Sequence, residues 1–145
     1  MGSVRLGKDA VVYYHGTEGT ALSGMTLVLD VANVELSLSA GEADITRRSN
    51  SGWKQTAATL KECEASFEIP LDPEDAGYIA LRSAYTGGTG LAMSILTGPK
   101  ATPKNEGPTG DFVVTGFNRS EPIDGAVSVS VTVKMKKFKA WNVTV

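Results

Sequence analysis

The sequence predicts a mainly β protein, an antiparallel β-sandwich or barrel with one flanking α-helix. Three observations carry this expectation. Apolar residues recur at every second position over most of the chain, as in strands with one buried face. One segment alone, after Asp72-Pro73, has helical spacing. Clusters of Gly, Pro, Asn and Asp punctuate the runs as turns. The 145 residues suit one domain, 1–145. A chain of this size buries roughly 70% of the surface it exposes when unfolded, so it needs no disulfide or metal to fold.

Taken in order, Ala10-Val11-Val12-Tyr13-Tyr14-His15 is a short β-branched and aromatic strand that ends in a Gly-rich turn, Gly16–Thr20. Leu27 to Ser39 reads as one longer strand, with Val34, Leu36 and Leu38 on one side and Glu35, Ser37 and Ser39 on the other. Ala40 to Trp53 loses the alternation and reads as a long polar loop, with a short extended piece at 43–46. Thr59 to Ile69 is the next strand. Cys63, Ala65, Phe67 and Ile69 face one way, Glu62, Glu64, Ser66 and Glu68 the other, and Pro70 closes it.

Asp72-Pro73-Glu74-Asp75 reads as a helix start, with Asp72 as N-cap, Pro73 at the first helical position and acids at the positive dipole end. Ala76, Ile79, Ala80 and Ala84, with Leu81 beside them, form the expected inner stripe, and Gly87-Gly88 stops the helix. Leu91 to Leu96 is a strand. Thr97 to Gly110 holds Gly98, Pro99, Pro103, Gly107, Pro108 and Gly110 and reads as a loop. Asp111 to Asn118 is a strand, and Ser120-Glu121-Pro122-Ile123-Asp124-Gly125 a turn with Asp-Gly as its hairpin signal. Ala126 to Met135 alternates most cleanly, with Val127, Val129, Val131, Val133 and Met135 on one face. The tail, with Phe138, Trp141, Val143 and Val145, adds a last strand or a terminal arm.

Composition limits the chemistry. Fourteen basic against sixteen acidic residues give a net charge of −2, with no basic excess for wrapping nucleic acid. A single cysteine, Cys63, excludes an internal disulfide framework and a Cys-based zinc site. A single histidine, His15, excludes a multi-His metal site. His15, at a strand end beside a Gly-rich loop, has the chemistry of a general base but reads first as a surface or partly packed histidine, and Cys63 reads as a small core residue rather than a nucleophile. Asp72, Glu74 and Asp75 are explained by the helix start without a metal. Gly87-Gly88-Thr89-Gly90 lacks the lysine of a phosphate loop and follows a helix rather than opening one. No catalytic residue, cofactor site or metal site is expected. Residues 1–8 hold no apolar signal core, so synthesis in a cytoplasm without membrane attachment is the expectation.

Two features ask for more. Glu62, Glu64 and Glu68 make one strand face acidic; it is either a solvated face or a surface that repels an anion. Lys134, Lys136, Lys137 and Lys139 form a basic run that suits phosphate, an edge-strand guard or an acid-seeking subunit contact.

The order of elements resembles that of phage major tail proteins, the tail tube subunits of long-tailed bacteriophages. Three stretches carry the resemblance. The first is Val34-Glu35-Leu36-Ser37-Leu38 running into Glu42-Ala43-Asp44-Ile45-Thr46-Arg47-Arg48-Ser49 and Gly52-Trp53-Lys54. The second is Asp72-Pro73-Glu74-Asp75 with its helix. The third is Phe112–Phe117, Glu121-Pro122, Asp124-Gly125 and the strand over Val127–Val133. The resemblance implies a structural, non-enzymatic virion protein whose six copies close into a ring, the rings stacking as the hollow tail tube through which DNA passes without sticking. It implies that Glu62, Glu64 and Glu68 face the lumen. It implies that the loop at about 40–53, through Asp44, Thr46, Arg47, Arg48 and Trp53, bridges subunits and rings, with Trp53 at the loop base. The implied partners are further copies of the chain and the tail terminator, tape-measure and baseplate or tail-tip proteins. The implied location is the virion tail, built in the host bacterial cytoplasm. The same fold serves secretion and injection tubes, the first alternative; a monomeric β-sandwich binding module is a more distant one.

Overall fold

The alternating runs become strands because each has one face that can leave water only against another layer. A computed structural model describes residues 6–28 and 31–144. Its strands are β1 (Val11–His15), β2 (Thr26–Leu27), β3 (Ala32–Asp44), β4 (Thr56–Pro70), β5 (Gly90–Leu96), β6 (Glu106–Ser120) and β7 (Ser128–Val143). One helix, α1, spans Ala76–Gly87. The strands form one antiparallel sheet in the order β2-β1-β5-β6-β7-β4-β3. The sheet curls over its own core: Val12 and Tyr14 near one end of that order share a cluster with Cys63, Ala65, Phe67 and Ile69 near the other. Phe112, Val129, Val131 and Val133 fill its middle, and α1 covers it with Tyr78, Leu81 and Ala84. This is the expected mainly β fold with one flanking helix.

Several boundaries differ from expectation. The strand expected over 27–39 is two, β2 and β3; Leu29 and Asp30, between them, lie outside the described residues, as do residues 1–5 and Val145 of the expected arms. β3 continues to Asp44, so the loop occupies 45–55 rather than 40–53. Ala40, Glu42, Ala43 and Asp44 have no apolar alternation; pairing with Lys61, Ala58, Ala57 and Thr56 of β4 extends the strand past the core.

The helix begins at Ala76, with Asp75 as N-cap accepting from the Tyr78 N–H at 3.2 Å. Asp72 serves one turn earlier, its carboxylate accepting from the Glu74 N–H at 3.0 Å. The inner stripe is Gly77, Tyr78, Leu81 and Ala84, while Ile79 is exposed. Tyr78 wins the inward position because its ring packs near Phe117, centroids 5.9 Å apart. Gly88, at φ 67°, ends the helix as expected.

The segment expected to be loop through Gly110 is strand from Glu106 onward. Gly107 and Gly110 are not breakers here: a Cβ on either would collide with a backbone carbonyl oxygen, of Ile95 and Lys137 respectively. Glycine is what lets β5, β6 and β7 approach. Pro108 lies just beyond the last β5–β6 pair, Ser94 opposite Thr109. The tail adds no separate strand, since β7 runs through to Val143 against β6. Among the described residues, no helix is long and apolar enough to cross a membrane.

Candidate functional site: a polar sheet face, a hairpin loop and a cleft

The four strands β3, β4, β7 and β6 place the acidic residues. Alternation sends Cys63, Ala65, Phe67 and Ile69 into the core, so Glu62, Glu64, Ser66 and Glu68 lie on the opposite face. Register builds that face strand by strand. Glu35 stands opposite Ser66, Ser37 opposite Glu64 and Ser39 opposite Glu62. On the other side Ser66 meets Thr132, Glu68 meets Ser130 and Glu64 meets Lys134. Gly116 and Asn118 of β6 continue the rows from Thr132 and Ser130. The acids are thus separated by serine and threonine, which avoids like charges directly across a ladder.

The three glutamates are not equivalent. Glu62 and Glu64 are exposed. Glu68 is half-buried and accepts a 3.0 Å hydrogen bond from Asn33 Nδ2. Glu35 shares the face and was not singled out from the sequence, although its alternation with Val34 and Leu36 placed it there. Lys134 lies on the same face, so the surface is polar and acid-rich rather than uniformly negative.

The loop residues form a closed hairpin base with an open tip. The Asp44 carboxylate accepts from both the N–H and the hydroxyl of Thr46. The Thr46 hydroxyl oxygen accepts from the Gln55 N–H at 2.9 Å, and the Ile45 N–H donates to the Gln55 carbonyl at 3.1 Å. The two bonds from Thr46, the hydroxyl's first and the backbone N–H's second, hold the Asp44 carboxyl below its ordinary value. Arg47 and Arg48 are exposed and make no ion pair among the described residues. Trp53 is 76% exposed. Asp44, Thr46 and Gln55 tie the two sides of the loop together at its base.

The basic run begins where β7 leaves β4: Lys134 is its last residue paired with β4, and Lys136, Lys137 and Lys139 lie beyond, where only β6 pairs with β7, so the edge-guard reading fits them. The loop after β1 folds onto it. Lys136 pairs with Glu18 at 3.0 Å, and Lys139 donates to the Gly19 carbonyl at 2.6 Å. The Gly19 N–H in turn donates to buried Asp111 at 2.7 Å. His15 closes the same turn, its Nδ1 accepting from the Thr17 N–H at 3.0 Å. Cys63 is buried, and burial pushes its thiol up, as expected of a core residue and not of a nucleophile.

Sequence reasoning missed one feature. β4 and β7 pair from Pro70–Ser128 to Glu64–Lys134 and then part, β4 staying with β3 and β7 with β6. Between them lies a cleft of about 790 Å³ lined by Leu38, Cys63, Met135, Phe138 and Trp141, with Lys61, Glu62, Glu64, Lys134 and Lys136 among its polar residues. The available signal was Phe138 and Trp141 persisting after the lysines break the alternation. Among the described residues no group of three or more His, Cys, Asp or Glu could hold a metal ion.

The family model described as phage tail tube protein matches residues 6–136. No curated protein matches the chain at a significant level. Among solved structures, the tail of an empty gene transfer agent particle, refined helically with C6 symmetry, aligns with TM-score 0.72 at 17% identity, over 98% of this chain and 100% of that one. The SPP1 tail tube aligns with TM-score 0.73 at 14% identity, over 97% and 80%. A chain of the anti-feeding prophage baseplate aligns with TM-score 0.65 at 5% identity, over 98% and 96%.

Proposed function

Because the chain belongs to the phage tail tube protein family, we propose that it is a structural component of the virion tail whose six copies close into a ring, rings stacking into a hollow tube that DNA traverses. The observation that carries this reading is the polar face shared by β3, β4, β7 and β6. These strands bury one side in the core and offer the other as a continuous wall of Ser, Thr and Glu. Glu62 and Glu64 repel phosphates, and the hydroxyls between them stay hydrated, so a strand of DNA finds no fixed cation row to grip. Glu68, tied to Asn33, contributes less. The C6 symmetry of the gene transfer agent tail supports six copies per ring here. The hairpin loop, with Arg47, Arg48 and Trp53 exposed beyond a fixed base, is the element that reaches a neighbouring ring. Tail terminator, tape-measure and baseplate or tail-tip proteins are the expected further partners, and the host bacterial cytoplasm is where the tube is assembled.

The lumen assignment is tested by Glu62→Lys, Glu64→Lys and Glu68→Lys combined. Rings and tubes persist while DNA delivery in infection falls. Failure to assemble, or infection equal to wild type, would withdraw the assignment.

A further inference from the structure

Asp124, in the turn between β6 and β7, stands apart from the other described aspartates. The Asp44 carboxylate is held by Thr46, that of Asp72 accepts from the Glu74 N–H, that of Asp75 caps α1, and that of buried Asp111 accepts from the Gly19 N–H. Asp72 also precedes Pro73, which has no N–H. Asp9 is exposed, but the N–H of the next residue, Ala10, donates to the Gly7 carbonyl at 3.2 Å. Asp124 is exposed, and its carboxylate has no hydrogen bond or ion pair among the described residues. Its successor, Gly125, is exposed and lies outside the β6–β7 ladder, whose last pair is Ser120 with Ser128. Glycine has a packing reason here, since a Cβ at this position would lie 3.1 Å from Pro122 Cγ. With no Cβ on Gly125 and no ladder holding either residue, the Asp124 side chain can reach the amide nitrogen that follows it.

We infer that Asp124-Gly125 is a site of spontaneous modification, at which the turn converts aspartate to isoaspartate through a cyclic imide. The Gly125 nitrogen attacks Cγ of the protonated Asp124 carboxyl. A C–N bond forms, the C–OH bond breaks, and the amide proton leaves with that hydroxyl as water. Water then opens the ring at one of its carbonyls. Opening at the side-chain carbonyl restores aspartate. Opening at the main-chain carbonyl leaves the peptide link on Cγ and the free carboxyl on the main-chain carbon. One water is released and one is taken up, so no oxidant, reductant or co-substrate takes part. The main chain gains one methylene inside the turn, and the net charge is unchanged. The Ser120–Ser128 pair and buried Val129 lie beyond the turn, so the fold is kept. The reaction runs within a single subunit and does not rest on the tube reading above.

The test holds the full chain warm at neutral pH for several weeks and compares it with fresh protein after digestion with trypsin. Cleavage after Arg119 and Lys134 releases 120–134, in which Asp124 is the only Asp or Asn. In the aged sample this peptide splits into two chromatographic species of equal mass, and an isoaspartyl methyltransferase labels the new one. Its isomerised fraction exceeds that of the peptides holding Asp75 and Asp111 at least about tenfold, because those aspartates react only after local opening. Asp124→Glu keeps the charge but must close a larger, slower ring, and gives no new species. Asp124→Asn loses its amide through the same imide, read as the mass change from amide to acid. A 120–134 peptide that stays one species in aged wild type, or that isomerises no faster than the other two, overturns the proposal. An Asp124→Asn protein that keeps its amide overturns the ring closure itself.

Discussion

Gly107→Ala tests whether the start of β6 is placed by backbone contact rather than by propensity. A methyl at this position would collide with the carbonyl oxygen of Ile95 and come within 2.7 Å of its carbon. Leu96 Cα lies 3.3 Å away. These are backbone atoms of β5, every residue of which is buried, so no flexible side chain can yield. Overpacking of this kind costs about 3 kcal/mol. At about 2.1 cal/mol/K per residue, the unfolding entropy of a chain of 145 residues is about 0.3 kcal/mol/K. The expected fall in Tm is therefore about 10 °C, read by thermal circular dichroism below the assembly threshold. Gly16→Ala is the control: nothing lies within 4 Å of its Cβ position and its φ is not left-handed. It should shift Tm by less than about 2 °C, as surface changes do. A Gly107→Ala protein that melts with the control would refute the argument that close strand approach, not turn formation, explains this glycine.

Two further outcomes follow from the hairpin loop. Thr46→Val removes the hydroxyl donor to Asp44 and leaves the backbone one, so the Asp44 carboxyl should titrate upward toward its ordinary value, measured by carboxyl NMR. Because its folded value is lowered, its contribution to the loop base is fully present above pH ~4 and is lost as pH falls through that lowered value; an unchanged titration in Thr46→Val would remove the hydroxyl as the main cause. Deleting Arg47–Asn50 should leave the subunit folded, since these residues lie in and beside the turn rather than in the β3–β4 ladder, yet stop tube growth; tubes of normal length in electron micrographs would remove the loop from ring stacking.

The legible parts of this sequence are those where one strand face meets the core. Cys63, Ala65, Phe67 and Ile69 in β4, and Val129, Val131 and Val133 in β7, alternate because burial enforces period two, and the structure puts every one of them inside. The outward glutamates follow from the same rule. Where a strand outruns the core the signal fades: Ala40–Asp44 pairs with β4 but has no second layer to face, so composition alone reads as loop. At Gly107 and Gly110 the signal is inverted, because the required feature is the absence of a side chain. The helix onset moved by one turn because Asp72 and Asp75 are both able caps and only tertiary packing of Tyr78 selects the second. The cleft lies between β4 and β7, which are adjacent in the sheet and distant in the chain. The place where they part is set by pairing that single-strand patterns do not encode.

The central claim is that this sheet face lines the bore of a six-fold tube. Helical cryo-electron microscopy of the purified protein, concentrated until it assembles, tests it most directly. The expected result is a hollow tube with six subunits per ring and with Glu62 and Glu64 pointing into the lumen. A tube with those glutamates on its outer surface or buried between subunits would contradict it, as would protein that remains monomeric at every concentration.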